Sequence, residues 1–362
     1  MTVETEAETL SLAEARALAA AVLERHQTAP ANAAAVADAL VLAEADGLSS
    51  HGLSRLAAYA DQAAAGKVDG FARPVVSRPR PAALTVDALT GFAFPALETG
   101  LRALADAARD TGVAALAVAN SHHFGVAGHP VERLARSGLV GIGFGNSPAA
   151  IAPWGGARPV FGTNPIAFAC PRAGGADPLV IDLSLSKVAR GKVMVAAQRG
   201  ELIPEGWALD AHGDPTTDPK AALAGSMVPM GDAKGAALVL MVEILATCFT
   251  GANFGFEASS FFDAEGPAPR VGQLFLAIDP AAFGPAGPEA AGIEAPAPVT
   301  GHGPGDASGF VARVESLLAA ITAEDGVRLP GARRFAARRR AEAGGIAVQA
   351  GLLATLRERV RT

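Results

Sequence analysis

Apolar positions along the chain change period several times, and the changes mark out its elements. Behind Ser11 and Glu14, a capping-box pair, Leu12, Ala15, Leu18, Val22 and Leu23 repeat at helical spacing and predict a first helix. Val36, Leu40 and Leu42 do the same for a helix over 32–45, closed by Gly47. After the Ser50-His51-Gly52 corner a third helix is predicted to run to Gly66, with Arg55 and Tyr59 at i and i+4 on one face, placed to address one ligand together. Short apolar runs at 83–86, 113–118, 139–144, 166–169, 179–183 and 274–278 read as strands, and 96–108, 126–137 and 187–198 read as helices. Only some strand pairs enclose a helix, so a mixed sheet is predicted rather than a uniform βαβ alternation.

The most apolar helix, 236–250, is interrupted by Glu243 and falls short of the roughly 20 residues that a bilayer requires. The stretch 284–309 is nearly all Gly, Pro, Ala and a few acids, which predicts a mobile surface excursion in which His302 is inert. A helix resumes at 310–321 and Leu329-Pro330-Gly331 breaks it. Arg333, Arg334, Arg338, Arg339 and Arg340 then make a basic helix, predicted to be solvated, before a last helical segment over 352–360.

Composition narrows the class. With 362 residues, half of them hydrophobic, the chain has core enough for more than one domain, and the scarcity of aromatics (5%) predicts close packing of Ala and Gly. A formal charge of -6 without a long basic run argues against nucleic acid as partner. The first residues are acidic and lack an apolar signal core, and the two cysteines, Cys170 and Cys248, read as buried thiols in a reducing compartment; a cytoplasmic protein is expected.

Candidate chemistry centres on Ala119-Asn120-Ser121-His122-His123-Phe124-Gly125, which places imidazoles where a strand ends and a helix follows, the edge at which α/β sheets build sites. Two adjacent histidines can also do no more than satisfy backbone carbonyls. A metal site is not expected, since neighbours on extended chain point apart and few Cys or carboxylates complete a shell. The second cluster, Ser50-His51-Gly52-Leu53-Ser54-Arg55, adds a hydroxyl, an imidazole and a guanidinium. Lys234, just inside a helix start bounded by Gly231 and Gly235, is placed to add charge to an anion site. No G-x-G-x-x-G follows a strand, and neither G-x-S-x-G nor a P-loop is present.

Taken together, Asp46-Gly47 with Ser50 to Arg55, Asn120 to Gly125, Pro153-Trp154-Gly155-Gly156, Gly162-Thr163-Asn164-Pro165, Gly231 to Gly235 and the later Leu329-Pro330-Gly331 resemble the type-2 malate/L-lactate dehydrogenase family. The ordered match runs from about residue 10 to 283 and again from 310 to the end. Asn146-Ser147-Pro148 with Phe254 to Phe262 resembles the family's 3-sulfolactate branch.

The resemblance implies an α/β (α+β) fold: a non-Rossmann nucleotide-binding domain at 113–283 with a mixed, mostly antiparallel sheet flanked by helices, and a helical substrate and dimerisation part formed by 1–112 with 310–362. It implies a homodimeric, NAD(P)-dependent oxidoreductase of a small 2-hydroxy acid such as 3-sulfolactate, malate or lactate. A reductase of cyclic imino acids and a catalytically silent nucleotide binder are the alternatives. By motif, His123 is the acid/base, with Ser50 and His51 orienting or relaying. Arg55 clamps the substrate carboxylate, and Tyr59 and Thr163 also bind the substrate, Thr163 lining the cofactor as well. Phe124, Gly125, Asp182, Leu183, Ser184, Lys234 and Arg333 line the cofactor. Arg190, Lys192 and the segment from Arg333 lean the choice toward NADP over NAD. Ala332 stands where the family commonly has an acid. An imidazole suits proton exchange with an alcohol that loses hydride, and a guanidinium fork suits a planar carboxylate.

Overall fold

The computed structural model describes residues 7–283 and 307–361. In chain order the elements are β1 (Ala7–Leu10), α1 (Leu12–Arg25), α2 (Pro30–Ala45), α3 (Leu56–Ala64), β2 (Val75–Arg80), β3 (Ala83–Asp87), α4 (Ala93–Thr111), β4 (Val113–Ser121), α5 (Gly128–Arg136), β5 (Val140–Gly145), β6 (Ile166–Cys170), β7 (Leu179–Leu183), α6 (Arg190–Arg199), β8 (Ala208–Leu209), β9 (Pro215–Thr216), α7 (Pro219–Ala224), β10 (Ser226–Met227), α8 (Asp232–Glu243), β11 (Val271–Ile278), α9 (Ser308–Ile321), α10 (Ala332–Gly344), β12 (Ile346–Gln349) and α11 (Ala350–Arg361).

A seven-stranded sheet in the order β2-β3-β4-β11-β5-β6-β7 forms the middle of the molecule. Every neighbouring pair is antiparallel except β3 and β4, so the mixed sheet expected from the spacing is observed. Its centre is β11, flanked on both sides and buried along most of its length, which is why its sequence is a nearly continuous apolar run. The edge strand β2 has no apolar alternation and carries Pro79, a residue tolerated at an edge where its missing N–H faces no partner. That is why the pattern did not reveal it. β2, β3 and α4 share the sheet's hydrophobic core with β4, so the sheet begins well before residue 113.

A second core joins the two ends of the chain. β1 pairs with β12, and α1, α2 and α3 pack with α11 through Ala19, Leu23, Leu40, Leu53, Leu353 and Leu356. Ser11 caps α1 as its sequence predicts, with the reciprocal bond from Glu14. The leucines of the first and last helices pack into this core rather than face solvent. An exposed apolar strip lies on α8 and the π-helical turn after it, where Leu238, Leu240, Met241 and Ile244 recur at helical spacing.

Two further expectations are corrected. Cys170 is buried, but Cys248 is exposed at the end of that π turn. On the basic helix α10, Arg333, Arg339 and Arg340 are exposed, whereas Arg334 and Arg338 turn inward. Arg338 donates to both Asp46 and Glu132, and Arg334 to Glu132, which together with His129 on Asp46 and Arg136 on Glu132 pairs these buried carboxylates. Residues 284–306 of the Gly/Pro/Ala stretch, His302 among them, lie outside the described residues, and its last residues, Ser308 and Gly309, open α9. Among the described residues, no helix is long and apolar enough to cross a membrane.

Candidate active site

β4 carries the chain to Ser121 through Ala114, Leu116 and Val118, and His122 and His123 emerge where the strand stops. The following turn passes through Gly125 at φ +70, where a Cβ would also come within 3.1 Å of the Phe94 ring, and then enters α5. The Ser50-His51-Gly52 corner lies across from it. There Glu44 turns back to accept the Leu53 N–H at 2.9 Å, and a Cβ on residue 52 would meet that carboxylate at 2.1 Å, so a larger residue there would have to displace Glu44 from this bond. These two turns bring Ser50, His51 and His123 into one cleft of about 900 Å³.

The three histidines have different roles in this geometry. His122 is buried. The Phe261 carbonyl can only accept, so the Gln62 amide nitrogen faces it at 2.9 Å, leaving the Gln62 oxygen toward His122 Nε2 at 2.7 Å. His122 therefore carries its proton on Nε2, and burial, then the charges of Lys67 and Arg55, push its pKa down to about 3. It is a packing histidine, ringed by Tyr59, Phe92 and Phe261.

His123 faces the cleft, its ring stacked with that of His51 at 5.6 Å and its Nδ1 held 2.5 Å from the hydroxyl of Tyr59. Burial, followed by the charges of Arg55, His51 and His122, holds its pKa well below the usual imidazole value, so it is neutral at pH 7. Tyr59, the sole tyrosine, is fully enclosed, and burial raises its pKa against the opposing charge of Arg55. The phenol thus stays protonated, and its oxygen can accept from Nδ1–H, the tautomer that leaves the Nε2 lone pair of His123 available for exchange. Ser50 Oγ lies 3.0 Å from His51 Nδ1, and burial, with Arg55 and His129, lowers His51 to about 4.

Arg55 ends the 3₁₀ turn that leads directly into α3, where it is the N-cap residue, one turn before Tyr59. Its Nε donates to Ser50 O at 2.8 Å, and among the described residues no protein group accepts from either Nη. The fork is open for a planar anion.

Phe124, Gly125, Thr163, Asp182, Leu183 and Ser184 line the same cleft as His123. Lys234 and Arg333 do not; both are exposed, and the inward neighbour Arg334 takes the place expected of Arg333. Arg190 is engaged with the carbonyls of Ala149 and Leu223, while Lys192 reaches the cleft. Sequence reasoning missed Gln62, Arg334, Phe261 and the Asp46–Glu132 pair. The one available signal was Arg334 and Arg338 at i, i+4, which marks a common helix face.

A neutral imidazole that lines the cleft, with the charge of an open guanidinium fork acting on it although Arg55 does not itself line the cleft, is equipment for exchanging a proton with a ligand that carries a carboxylate. Comparison with known proteins agrees. Residues 10–295 match the family model described as malate/L-lactate dehydrogenase, and the chain belongs to that family and is an oxidoreductase. It is 55% identical to a (2R)-3-sulfolactate dehydrogenase (NADP(+)) of Chromohalobacter salexigens over 91% of this chain and 92% of that protein. It is 41% identical to a Delta(1)-pyrroline-2-carboxylate reductase of Pseudomonas fluorescens, over 96% of this chain and 98% of the relative. Among solved structures it is similar to the delta1-piperideine-2-carboxylate reductase of Pseudomonas syringae, with a TM-score of 0.85 and 39% identity over 97% and 99% of the two chains.

Proposed function

We propose that this chain is an NADP-dependent dehydrogenase interconverting a small 2-hydroxy acid, (2R)-3-sulfolactate, and its 2-oxo acid. The observation that carries the chemistry is the open Arg55 fork beside the Tyr59-anchored His123. The 55% identity to a sulfolactate dehydrogenase supports the substrate.

The cleft's lining fits a dinucleotide. Leu183 and Val195 expose apolar side chains to it, suited to planar rings; Asp182 offers a carboxylate to ribose hydroxyls; Lys192 offers a cation to phosphate. When bound, the nicotinamide supplies or accepts the hydride at C2. Arg55 holds the substrate carboxylate and so fixes the face of C2. His123 Nε2 takes the hydroxyl proton in oxidation and returns it in reduction. A bound anion offsets the Arg55 charge that depresses His123, bringing its pKa toward the working range. Ser50 and His51 orient the stacked pair. The terminal helices with α10 and α11 make the substrate side, and the sheet from β4 to β11 makes the cofactor side. The α8 strip joins two copies in a homodimer; light scattering on wild type and on Leu240→Glu tests this, since loss of the apolar strip should give monomer.

Reduction of cyclic imino acids is the second reading, favoured by the relatives of that activity at about 40% identity. Turnover of 3-sulfopyruvate, pyruvate, oxaloacetate and pyrroline-2-carboxylate with NADPH and NADH separates the two. Sulfopyruvate with NADPH is expected to give the highest kcat/KM. Turnover of the imine alone removes the first reading, and binding of NADPH with no turnover leaves a silent nucleotide binder.

A further inference from the structure

The segment that crosses the Arg55 side of the site contains two consecutive aromatic residues, each packed on a different functional group. Phe261, buried, sits with its ring 5.2 Å from that of His123. Phe262, still 46% exposed, lies under the Arg55 guanidinium, whose Cζ is 4.4 Å from the ring centroid.

α3 and the residues just after it hold this segment. Gln62 binds the Phe261 carbonyl, and the buried Lys67 ammonium donates to the carbonyls of Asp263 at 3.0 Å and Glu265 at 2.6 Å. Because α3 begins directly after Arg55, one short stretch of chain carries both the guanidinium and the pins that set the aromatic pair against it.

We propose that Phe262 is a positioning residue for substrate binding, acting through Arg55. A guanidinium has two faces and an edge. The Phe262 ring covers one face by cation–π contact, the Ser50 carbonyl takes Nε, and what remains is the Nη edge, the part that binds a carboxylate through two parallel bonds. An aromatic ring cannot compete for that edge, so it orients the fork without occupying it. An aliphatic side chain of similar bulk fills the space but leaves the guanidinium plane free to rotate. The inference rests on the carboxylate role assigned to Arg55 above.

The test is steady-state kinetics on Phe262→Leu, Phe262→Tyr, Arg55→Met and the double variant Phe262→Leu/Arg55→Met, with NADPH affinity followed by fluorescence. Phe262→Leu should raise KM for the 2-oxo acid about two- to thirtyfold, the range of a cation–π contact from exposed to desolvated, with a smaller change in kcat and none in NADPH affinity. Phe262→Tyr should restore KM. In the Arg55→Met background, Phe262→Leu should have no further effect. An unchanged KM in Phe262→Leu, or effects that add in the double variant, overturns the proposal. If Arg55→Met itself keeps the wild-type KM, the carboxylate reading of Arg55 fails, and with it the basis for Phe262.

Discussion

Tyr59→Phe isolates what the buried phenol does for His123. The substitution keeps the ring among Phe92, Phe94 and His122 and removes one oxygen, the partner 2.5 Å from His123 Nδ1. In the wild type that hydroxyl oxygen accepts from Nδ1–H in both charge states, and more strongly when His123 is an imidazolium. Without it Nδ1 is left unpaired in a buried setting, which costs about 1–3 kcal/mol, or roughly 5- to 150-fold if it is felt in the transition state. The expected result is a fall in kcat of roughly ten- to a hundredfold, within that range, with KM for substrate and NADPH little altered. The pH profile should move as well. Losing an acceptor for the imidazolium destabilises the charged form, so the acid limb of kcat/KM for alcohol oxidation, already displaced downward by burial, shifts to still lower pH. Nicotinamide absorbance followed across pH, alongside a thermal melt to show that the variant folds, measures both. A folded variant with kcat within about twofold of wild type and an unmoved limb would refute the assignment, since an interaction worth the 1–3 kcal/mol above cannot be lost silently.

Three other outcomes follow from the same geometry. His123→Ala should lower kcat by roughly 10²–10⁴-fold while NADPH binding by fluorescence is nearly unchanged, and His122→Asn should chiefly lower the melting temperature; the reverse pattern would exchange their roles. Arg55→Met should weaken kcat/KM by a factor equivalent to about 2–5 kcal/mol, with poor recovery in Arg55→Lys because a point charge does not reproduce the fork, and full recovery by lysine would count against bidentate binding. His51 and His122 have folded pKa values of about 4 and about 3, below the unfolded value of about 6.5, so the unfolded chain binds more protons and stability declines as pH falls through that window. Urea denaturation at pH 7.5, 6 and 5 should show the folding free energy dropping by up to about 1.4 kcal/mol per group for each pH unit below 6.5, whereas a flat profile would show that neither imidazole is held neutral by the fold.

How much of this could be read from the chain depended on whether a feature was local. The Ser11 cap, the period of α1 and α2 and the apolar runs of β4, β5 and β7 are set by neighbours within a few residues, and all were legible. So were His123 and the Ser50 to Arg55 cluster, because a strand end and a glycine corner announce themselves in sequence. Edge strand β2 was not, since an edge has no buried face to impose a pattern. Arg334 and Arg338 looked like solvated charges because their partners Glu132 and Asp46 lie about 200 and 290 residues away, beyond any periodicity. Gln62 escaped for the same reason: one amide among polar residues gives no sign that it will bridge His122 and Phe261.

The long-range pairs also explain why the cleft needs both ends of the chain. Its walls come from the Ser50 corner, the turn after β4, the end of β7 and Pro330 to Arg334, so the cleft is complete only when α10 is docked against α2 and α5. Asp46 is the meeting point. It accepts from His129 at 2.9 Å and from Arg338 at 2.7 Å; burial works to raise its pKa, but these bonds and charges outweigh it and keep the carboxylate ionised. Glu132 is held the same way, burial being overcome chiefly by Arg338. Buried ion pairs of this kind add little net stability over an apolar contact, because desolvation consumes most of the attraction, but they tolerate no misregister, since a shifted helix strands a charge at a cost of about 3–5 kcal/mol. The cluster therefore acts on placement: it allows α10 one position on the two cores, and in that position Gly331 and Arg334 line the same cleft as Asp182 and His123.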